Sequence, residues 1–387
     1  DRFRDTARTF WLEDVDGGSD FGRISLQEMS TRLCGSADLF ATEPGRGAPA
    51  SINFVSCHDG FTLTDLTRYR SKHNEANGEN NNDGSSVNHS ANFGVEGVTD
   101  DPDVIAAREQ AAMNMIGMLL LSLGTPMMLA GDEFRNTQDG NNNAYCQDND
   151  ITWLKWDWMY STNKTREMRR LETVSRLVAL RKSLDLYHHE DFFTRLTQLG
   201  LLKPSSRVQW FLPDGTTPME RDWFDLGVRS FTMRLLSNSE VDVCIVVNGT
   251  ADDRTFRLPP DTHWTPKWCS AEINGRRAGH GTQVEECDLN GDTTVWTQHV
   301  PDASETVLKM VKEVAMQRTE SSTENEADTI KFAMPVTDHA ANGTSSAPRD
   351  EVSADMPDAP VDDTPDTPVD DNVWTMPALS ITLMKQV

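Results

Sequence analysis

The sequence lacks the cysteine and histidine patterns of a metal site or a disulfide framework. Its six cysteines are scattered over 387 residues, with no CxxC pair and no histidine at metal-ligand spacing. In a chain of this length, scattered cysteines are typical of reduced thiols. We therefore expect a cytoplasmic location, and we predict neither a metal ion nor a cofactor.

Basic residues and long apolar runs are also scarce. The chain has 36 Lys and Arg residues against 61 Asp and Glu residues, which gives a net charge of −25. Such a charge disfavours binding to nucleic acid and to anionic membrane surfaces. The longest apolar run, Met113–Leu123, contains polar residues and is too short to span a bilayer. The sequence thus predicts neither a nucleic-acid partner nor a membrane partner.

One short strand ends directly in groups that can do chemistry. Within Ser51–Thr64, a run of strand-forming residues leads into His58, Asp59 and Gly60. Parallel α/β folds present catalytic side chains at the carboxyl ends of their strands. The alternative is that Asp59 only caps the helix that follows.

A second strand has the same ending. Met127–Ala130 is a short apolar run followed by Gly131, Asp132 and Glu133. Between the two strands we predict a helix over Asp101–Leu123, because acidic residues and a proline open it and apolar residues recur along it. Two units of strand followed by acid, with a helix between them, are typical of β/α repeats whose functional ends share one face.

Two loops are rich in asparagine, at residues 72–97 and 139–150. Asparagine side chains both donate and accept hydrogen bonds and tolerate turn conformations, which suits the binding of sugar hydroxyls without charge. The alternative for the first loop is a disordered polar insert. For the second loop, the alternative is that its asparagines only form turns.

The pattern changes near residue 186, where short strand-like runs with polar, glycine or proline breaks begin. They predict an antiparallel β-sandwich over 186–300, with VCIVVN as the central strand and residues 373–387 returning to it. Between these parts, residues 301–372 contain 17 acidic and 5 basic residues in a low-complexity sequence. We expect this acidic insert to be disordered.

Four blocks in this order closely resemble the bacterial glycogen debranching enzymes, the isoamylase-type members of the α-amylase superfamily of glycoside hydrolases. The blocks are HDGFTL at 58–63, KHNEANGENNNDG at 72–84, GTPMMLAGDEF at 124–134 and GNNNAYCQDNDITWLKW at 140–156. The resemblance implies an α/β fold in which residues 1–185 are the C-terminal portion of a (β/α)8 TIM barrel. It also implies that the antiparallel β-sandwich follows, interrupted by the acidic insert.

The resemblance further implies hydrolysis of α-1,6 branch linkages in glycogen or limit dextrin by a retaining mechanism. This mechanism uses one carboxylate as nucleophile and another as general acid and base, and in the family a third stabilises the transition state. Asp59 matches that third carboxylate, and His58 matches the histidine beside it. The implied contacts to the branched α-glucan are Asp132, Asn142, Asn143 and Tyr145.

The other two carboxylates of the family lie on earlier barrel strands. The opening DRFRDTARTFW resembles the helix that follows the glutamate-bearing strand, so we expect this sequence to start just after the general acid and to lack the nucleophile too. Two alternatives stay open. The chain could be a catalytically inactive fragment that keeps only a glucan-binding surface and the β-sandwich, or it could be a pullulanase-like α-glucan hydrolase, which the loop blocks favour less.

Overall fold

A computed structural model describes ten stretches of the chain. These are residues 1–12, 15, 22–41, 46–187, 208–236, 242–260, 263–280, 285–286, 372–378 and 380–386. The chain divides into two compact units, the first made of Asp1–Leu308 with Asp370–Val387. The second unit, Lys309–Val369, lies outside the described residues, as does all of the predicted acidic insert except Asn372. The disorder of that insert therefore stays a prediction.

Four helices occupy the first part of the described chain, and they are α1 (Arg2–Leu12), α2 (Leu26–Leu33), α3 (Ala37–Phe40) and α4 (Leu63–Leu66). Ser25 caps α2, because its hydroxyl accepts a hydrogen bond from the Glu28 amide at 3.2 Å. Gly35 follows α2 with φ = +83°, a left-handed conformation that glycine adopts at little cost, and the chain turns there into α3.

Two short parallel strands, β1 (Ile52–Asn53) and β2 (Thr125–Pro126), pair Ile52 with Thr125. The sequence predicts the second strand at Met127–Ala130, but the structure forms it at Thr125–Pro126, so the prediction of its position is wrong. After β2, the Met127 amide still donates a hydrogen bond of 2.7 Å to the Asn53 carbonyl. Beyond it, both segments continue as loops.

Two long helices pack beside the strands, α5 (Pro102–Leu121) and α6 (Arg166–Ser183). Asp101 caps α5 by accepting from the Asp103 amide at 2.9 Å, which confirms the predicted start of the helix. By length and composition α5 could cross a bilayer, although the apolar run within it is too short to predict this. However, 72% of its apolar segment is buried inside the protein.

The described residues of the C-terminal part form a short helix and three antiparallel sheets. The helix is α7 (Glu220–Phe224), and the strands are β3 (Val208–Phe211), β4 (Ser230–Leu235), β5 (Val243–Asn248), β6 (Arg254–Arg257), β7 (Trp264–Cys269), β8 (Arg276–Arg277), β9 (Gly279–His280), β10 (Glu285–Glu286), β11 (Val373–Met376) and β12 (Ser380–Gln386). Their orders are β3-β4-β5-β12-β7, β6-β11-β9 and β10-β8. The predicted antiparallel architecture, the central position of VCIVVN and the return of the C-terminal segment are confirmed.

The helices and the five-stranded sheet share one buried hydrophobic cluster. Phe10 of α1, Ile116 of α5 and Leu177 of α6 belong to it together with Phe231 of β4 and Ile381 of β12. The close approach of helix and sheet is possible because position 117 is a glycine. A Cβ atom there would lie 2.7 Å from Ile381 Cγ2 and 2.9 Å from the Trp268 ring. The predicted domain boundary near residue 185 stays a prediction.

Candidate functional site

The loop that follows β1 presents His58 and Asp59 to solvent. Their side chains are 86% and 73% exposed, and His58 Nε2 lies 3.1 Å from Asp59 Oδ2. Gly60 has φ = +87°, which lets the chain reverse directly after the carboxylate. Its amide donates a hydrogen bond of 2.9 Å to the Asn142 carbonyl and so joins the loop to the second asparagine-rich loop. The pair is therefore accessible from solvent.

Asp132, which follows the second strand, holds the loop that carries Asp59 through hydrogen bonds. The Leu63 amide donates to Oδ1 at 2.9 Å, and the Ser56 hydroxyl donates to Oδ2. These two donors flank the loop that carries Asp59, so one carboxylate holds both of its ends. The side chain is fully buried, and burial raises its pKa to about 6.

This geometry gives Asp132 a positioning role toward the Asp59 loop. Both of its oxygens are already bound to protein groups. Sugar contact by Asp132 stays a prediction, and it would require the fully buried carboxylate to become accessible.

Arg8 of α1 also holds this loop through a hydrogen bond. The helical periodicity of α1 does not predict this contact. Along α1, Arg8 is expected on the polar face with Arg2 and Arg4, but the structure buries it. Its Nε donates to the Val55 carbonyl at 2.7 Å, just before the site loop, and its Nη1 donates to the Asn88 carbonyl at 2.9 Å. Burial lowers the pKa of Arg8 to about 9. No sequence pattern marks the two carbonyl groups as its partners.

The two asparagine-rich loops bind each other through their side chains. Asn142 Nδ2 donates to the Ser85 carbonyl and to Asn88 Oδ1, both at 2.8 Å, and Asn142 Oδ1 accepts from Asn74 Nδ2 at 2.9 Å. Asn143 Nδ2 donates to the Asp83 carboxylate at 2.9 Å. All the hydrogen-bonding groups of the Asn142 side chain are therefore used within the protein.

A second layer of the same network surrounds Asn77. Its Oδ1 accepts from Asn141 Nδ2 and from Gln147 Nε2, both at 2.8 Å, and its Nδ2 donates to Asp83 at 2.7 Å. Many of the asparagines thus join one loop to the other. The alternative of a disordered insert does not fit the described loop over 72–97, because hydrogen bonds and short turns order it.

Tyr145 and the tryptophans after it are the accessible aromatic groups near this network. Tyr145 is 71% exposed, and Trp153 is 55% exposed. Trp156 packs against Phe134 with ring centroids 4.8 Å apart while keeping part of its surface exposed. Of the predicted site residues, His58, Asp59 and Tyr145 are thus exposed, Asn143 is half-buried, and Asp132 and Asn142 are buried. Their roles in binding or catalysis stay predictions.

Comparison with curated proteins confirms the resemblance to glycogen debranching enzymes. The glycogen debranching enzyme of Pectobacterium atrosepticum is 38% identical over 291 residues, which cover 75% of this chain and 40% of that protein. The enzyme of Escherichia fergusonii is 50% identical over 157 residues, covering 41% and 22%. The glycogen operon protein GlgX homolog of Mycobacterium tuberculosis strain H37Rv is 41% identical over 236 residues, covering 59% and 30%. The chain thus spans less than half the length of these relatives.

No protein-family model matches the chain. Among solved structures, the GBS pullulanase SAP in complex with maltotetraose aligns with 100% of this chain and 38% of its own, at 11% identity and a TM-score of 0.49.

Proposed function

Since the chain is a relative of the bacterial glycogen debranching enzymes, we propose that it is the C-terminal part of an enzyme that hydrolyses α-1,6 branch linkages in glycogen or limit dextrin. The observation that carries the proposal is the exposed His58–Asp59 pair, which Asp132 and Arg8 hold at the carboxyl end of a parallel strand. On this proposal β1 and β2 are two strands of a (β/α)8 barrel, and the antiparallel sheets form the β-sandwich that follows it.

In the proposed reaction, hydrolysis proceeds with retention in two displacements. A nucleophilic carboxylate attacks the anomeric carbon while a general acid protonates the departing oxygen, and water then releases the glycosyl group. We assign neither role to this chain. Asp59 holds the sugar at the reacting centre and stabilises the positive charge that develops there, and His58 donates a hydrogen bond to the same sugar unit. Tyr145, Asn143 and, after rearrangement, Asn142 and Asp132 are the remaining candidate glucan contacts.

The proposed partner is therefore a branched α-glucan, and the proposed location is the cytoplasm. The location rests on the thiols: the described cysteines Cys34, Cys57, Cys146, Cys244 and Cys269 are all free. No step of the proposed reaction uses a metal ion or a cofactor.

The experiment is an assay of the complete gene product on β-limit dextrin, glycogen and pullulan. We expect release of linear maltooligosaccharides from limit dextrin at a higher kcat/KM than from pullulan. Preference for pullulan would favour the pullulanase-like alternative. Glucan binding without hydrolysis would favour the non-catalytic alternative. For the 387-residue chain alone we predict no hydrolysis, and detecting any would contradict the assignment of nucleophile and acid to other residues.

The role of Asp59 can be tested by substitution in the complete enzyme. Replacing Asp59 by Asn should lower kcat by about three orders of magnitude, because the lost charge acts mainly on the transition state. Asp252→Asn is the matched control, since Asp252 is an exposed carboxylate in the C-terminal part, and its kcat should stay within about twofold of wild type. A near-normal kcat for Asp59→Asn would remove the role proposed here.

A further inference from the structure

A cavity of about 290 Å³ lies where α4, α5 and α6 meet, and neither His58 nor Asp59 lines it. Positive side chains dominate its wall. The five arginines are Arg68, Arg108, Arg135, Arg166 and Arg170, and the acidic lining residues are Asp100, Glu109 and Glu167. This excess of positive charge stands in a chain whose net charge is −25. The cavity can therefore attract anions, although the chain as a whole is strongly negative.

Internal partners account for part of this positive charge. Buried Glu109 lies 2.5 Å from Arg170 Nε and 3.3 Å from Arg135 Nε. Arg108 donates to the carbonyls of Gly97 and Asn92 at 2.6 and 2.7 Å, so its guanidinium is used to order the preceding loop. One carboxylate thus serves two guanidinium groups, and Arg108 serves the backbone.

Arg68 and Arg166 are different. Within the part of the chain that the structure describes, neither guanidinium forms a hydrogen bond or an ion pair within 4.0 Å. Arg68 is half-buried on the turn after α4, and Arg166 is exposed at the first position of α6. The two therefore offer their full set of donors to whatever enters the cavity.

Arg135 adds a buried cation with spare hydrogen-bonding capacity. Its side chain is only 9% exposed, and among the described residues its Nε has no hydrogen-bond acceptor, although the Glu109 carboxylate lies 3.3 Å away. Burial lowers the pKa of Arg135 to about 10, and the charges of Arg170 and Arg68 act in the same direction. The first turn of α6 also borders the cavity, so the positive end of a helix of 18 residues reinforces the field. An anion placed here would relieve the repulsion among these cations.

We propose that this cavity binds the phosphate group of a small phosphorylated sugar or of inorganic phosphate. Planar guanidinium groups present paired donors that match phosphate oxygens, and three of them with spare donors surround one space. The volume lies at the lower end of the range for small-molecule pockets, which fits a phosphate with one attached sugar rather than a polymer.

Isothermal titration calorimetry of the complete protein tests the proposal, with inorganic phosphate and glucose 1-phosphate as separate probes at low ionic strength. We expect one site per chain. Arg68→Gln and Arg166→Gln should each weaken binding about tenfold, as expected for loss of a charge-assisted hydrogen bond. Arg70→Gln is the matched control, because Arg70 is exposed, two residues from Arg68 and outside the cavity wall. It should change Kd by less than about twofold, since an exposed charge outside the site contributes little.

The outcomes separate binding of phosphate in the cavity from nonspecific attraction of anions to surface arginines. Equal affinity for the two probes means that the cavity recognises phosphate alone, and tighter binding of glucose 1-phosphate means that it also holds the sugar. Either result supports the proposal if both cavity variants weaken it while their melting temperatures match that of wild type. No binding of either probe at about 10 mM, or an equal loss with Arg70→Gln, overturns it. The measurement uses no glucan, so its result is independent of the debranching assay.

Discussion

At the scale of single residues, Asp132 shows how a side chain can serve a site without facing the solvent. Its carboxylate accepts hydrogen bonds from Ser56 and Leu63, which lie on the two sides of the Asp59 loop. A buried carboxylate needs such donors because burial disfavours the ionised form. The raised pKa of about 6 reflects the balance between burial and these hydrogen bonds.

This balance predicts a pH-dependent stability. The native state of wild type holds the Asp132 proton more tightly than the unfolded state does, since burial raises the pKa from 3.8 to about 6. The stability that this carboxyl group contributes is thus fully present below about pH 4 and is lost as the pH rises through about 6. We expect wild type to lose about 2–3 kcal/mol relative to Asp132→Asn between these pH values.

Thermal unfolding of both proteins at several pH values from 4 to 7 measures this difference, with unfolding free energies taken at a common temperature. Ser56→Ala is the control, because it removes one hydrogen bond but keeps the titrating carboxyl group. Its pH dependence should be at least as large as that of wild type, because the Ser56 hydrogen bond lowers the Asp132 pKa and its loss raises that pKa further. A difference between wild type and Asp132→Asn that is independent of pH would show that Asp132 does not titrate in this range.

At the scale of elements, the two asparagine-rich loops act as one unit. Asn142 joins them through three side-chain hydrogen bonds, and Asn77 joins them again through its own contacts. Amide side chains suit this task because each offers donors and an acceptor without carrying charge. The amide of Gly60 also binds the second loop, so the order of this unit is connected to the position of Asp59.

Replacing Asn142 by Ala should therefore loosen both loops together. The loss of three partly buried hydrogen bonds is expected to cost about 2–3 kcal/mol of local stability. Hydrogen–deuterium exchange should show faster exchange over 72–97 and 139–150 alike. Asn82→Ala is the matched control, because within the described residues the Asn82 side chain bonds only the nearby Glu79 carbonyl. Faster exchange confined to the second loop would contradict the idea of a single unit.

At the scale of the whole molecule, packing of α5 on the five-stranded sheet joins the parallel strands to the antiparallel part. The contact depends on Gly117, which lets Ile381 of β12 and Trp268 of β7 approach the helix. Trp268 is fully buried, and its indole nitrogen donates to the Thr173 carbonyl of α6 at 3.2 Å. One aromatic side chain thus contacts both long helices.

A change from Gly117 to Ala has opposite expected effects in an isolated helix and in this structure. Helix propensity alone favours alanine by about 1 kcal/mol. In the folded protein the added methyl group would contact Ile381 and Trp268 at less than 3.0 Å, so we expect a loss of about 1–3 kcal/mol instead. Ala107→Gly on the exposed face of α5 gives the propensity term alone and should cost about 1 kcal/mol. Chemical denaturation measures both values, and stabilisation by Gly117→Ala would contradict the packing described here.

The sequence by itself determined the local elements and the positions of the conspicuous side chains. The cap and the apolar pattern of α5, the alternation of strands after residue 207 and the succession of His58, Asp59 and Gly60 depend on near neighbours in the chain. Only the tertiary structure decided which of those side chains are accessible. The structure makes Arg8 and Asp132 positioning residues and buries Asn142. Their hydrogen-bond partners are distant in the sequence: 47 and 80 residues from Arg8, 69 and 76 from Asp132, and 54 to 68 from Asn142. Burial and hydrogen bonding over such separations depend on how the elements pack, and local sequence patterns do not contain that information.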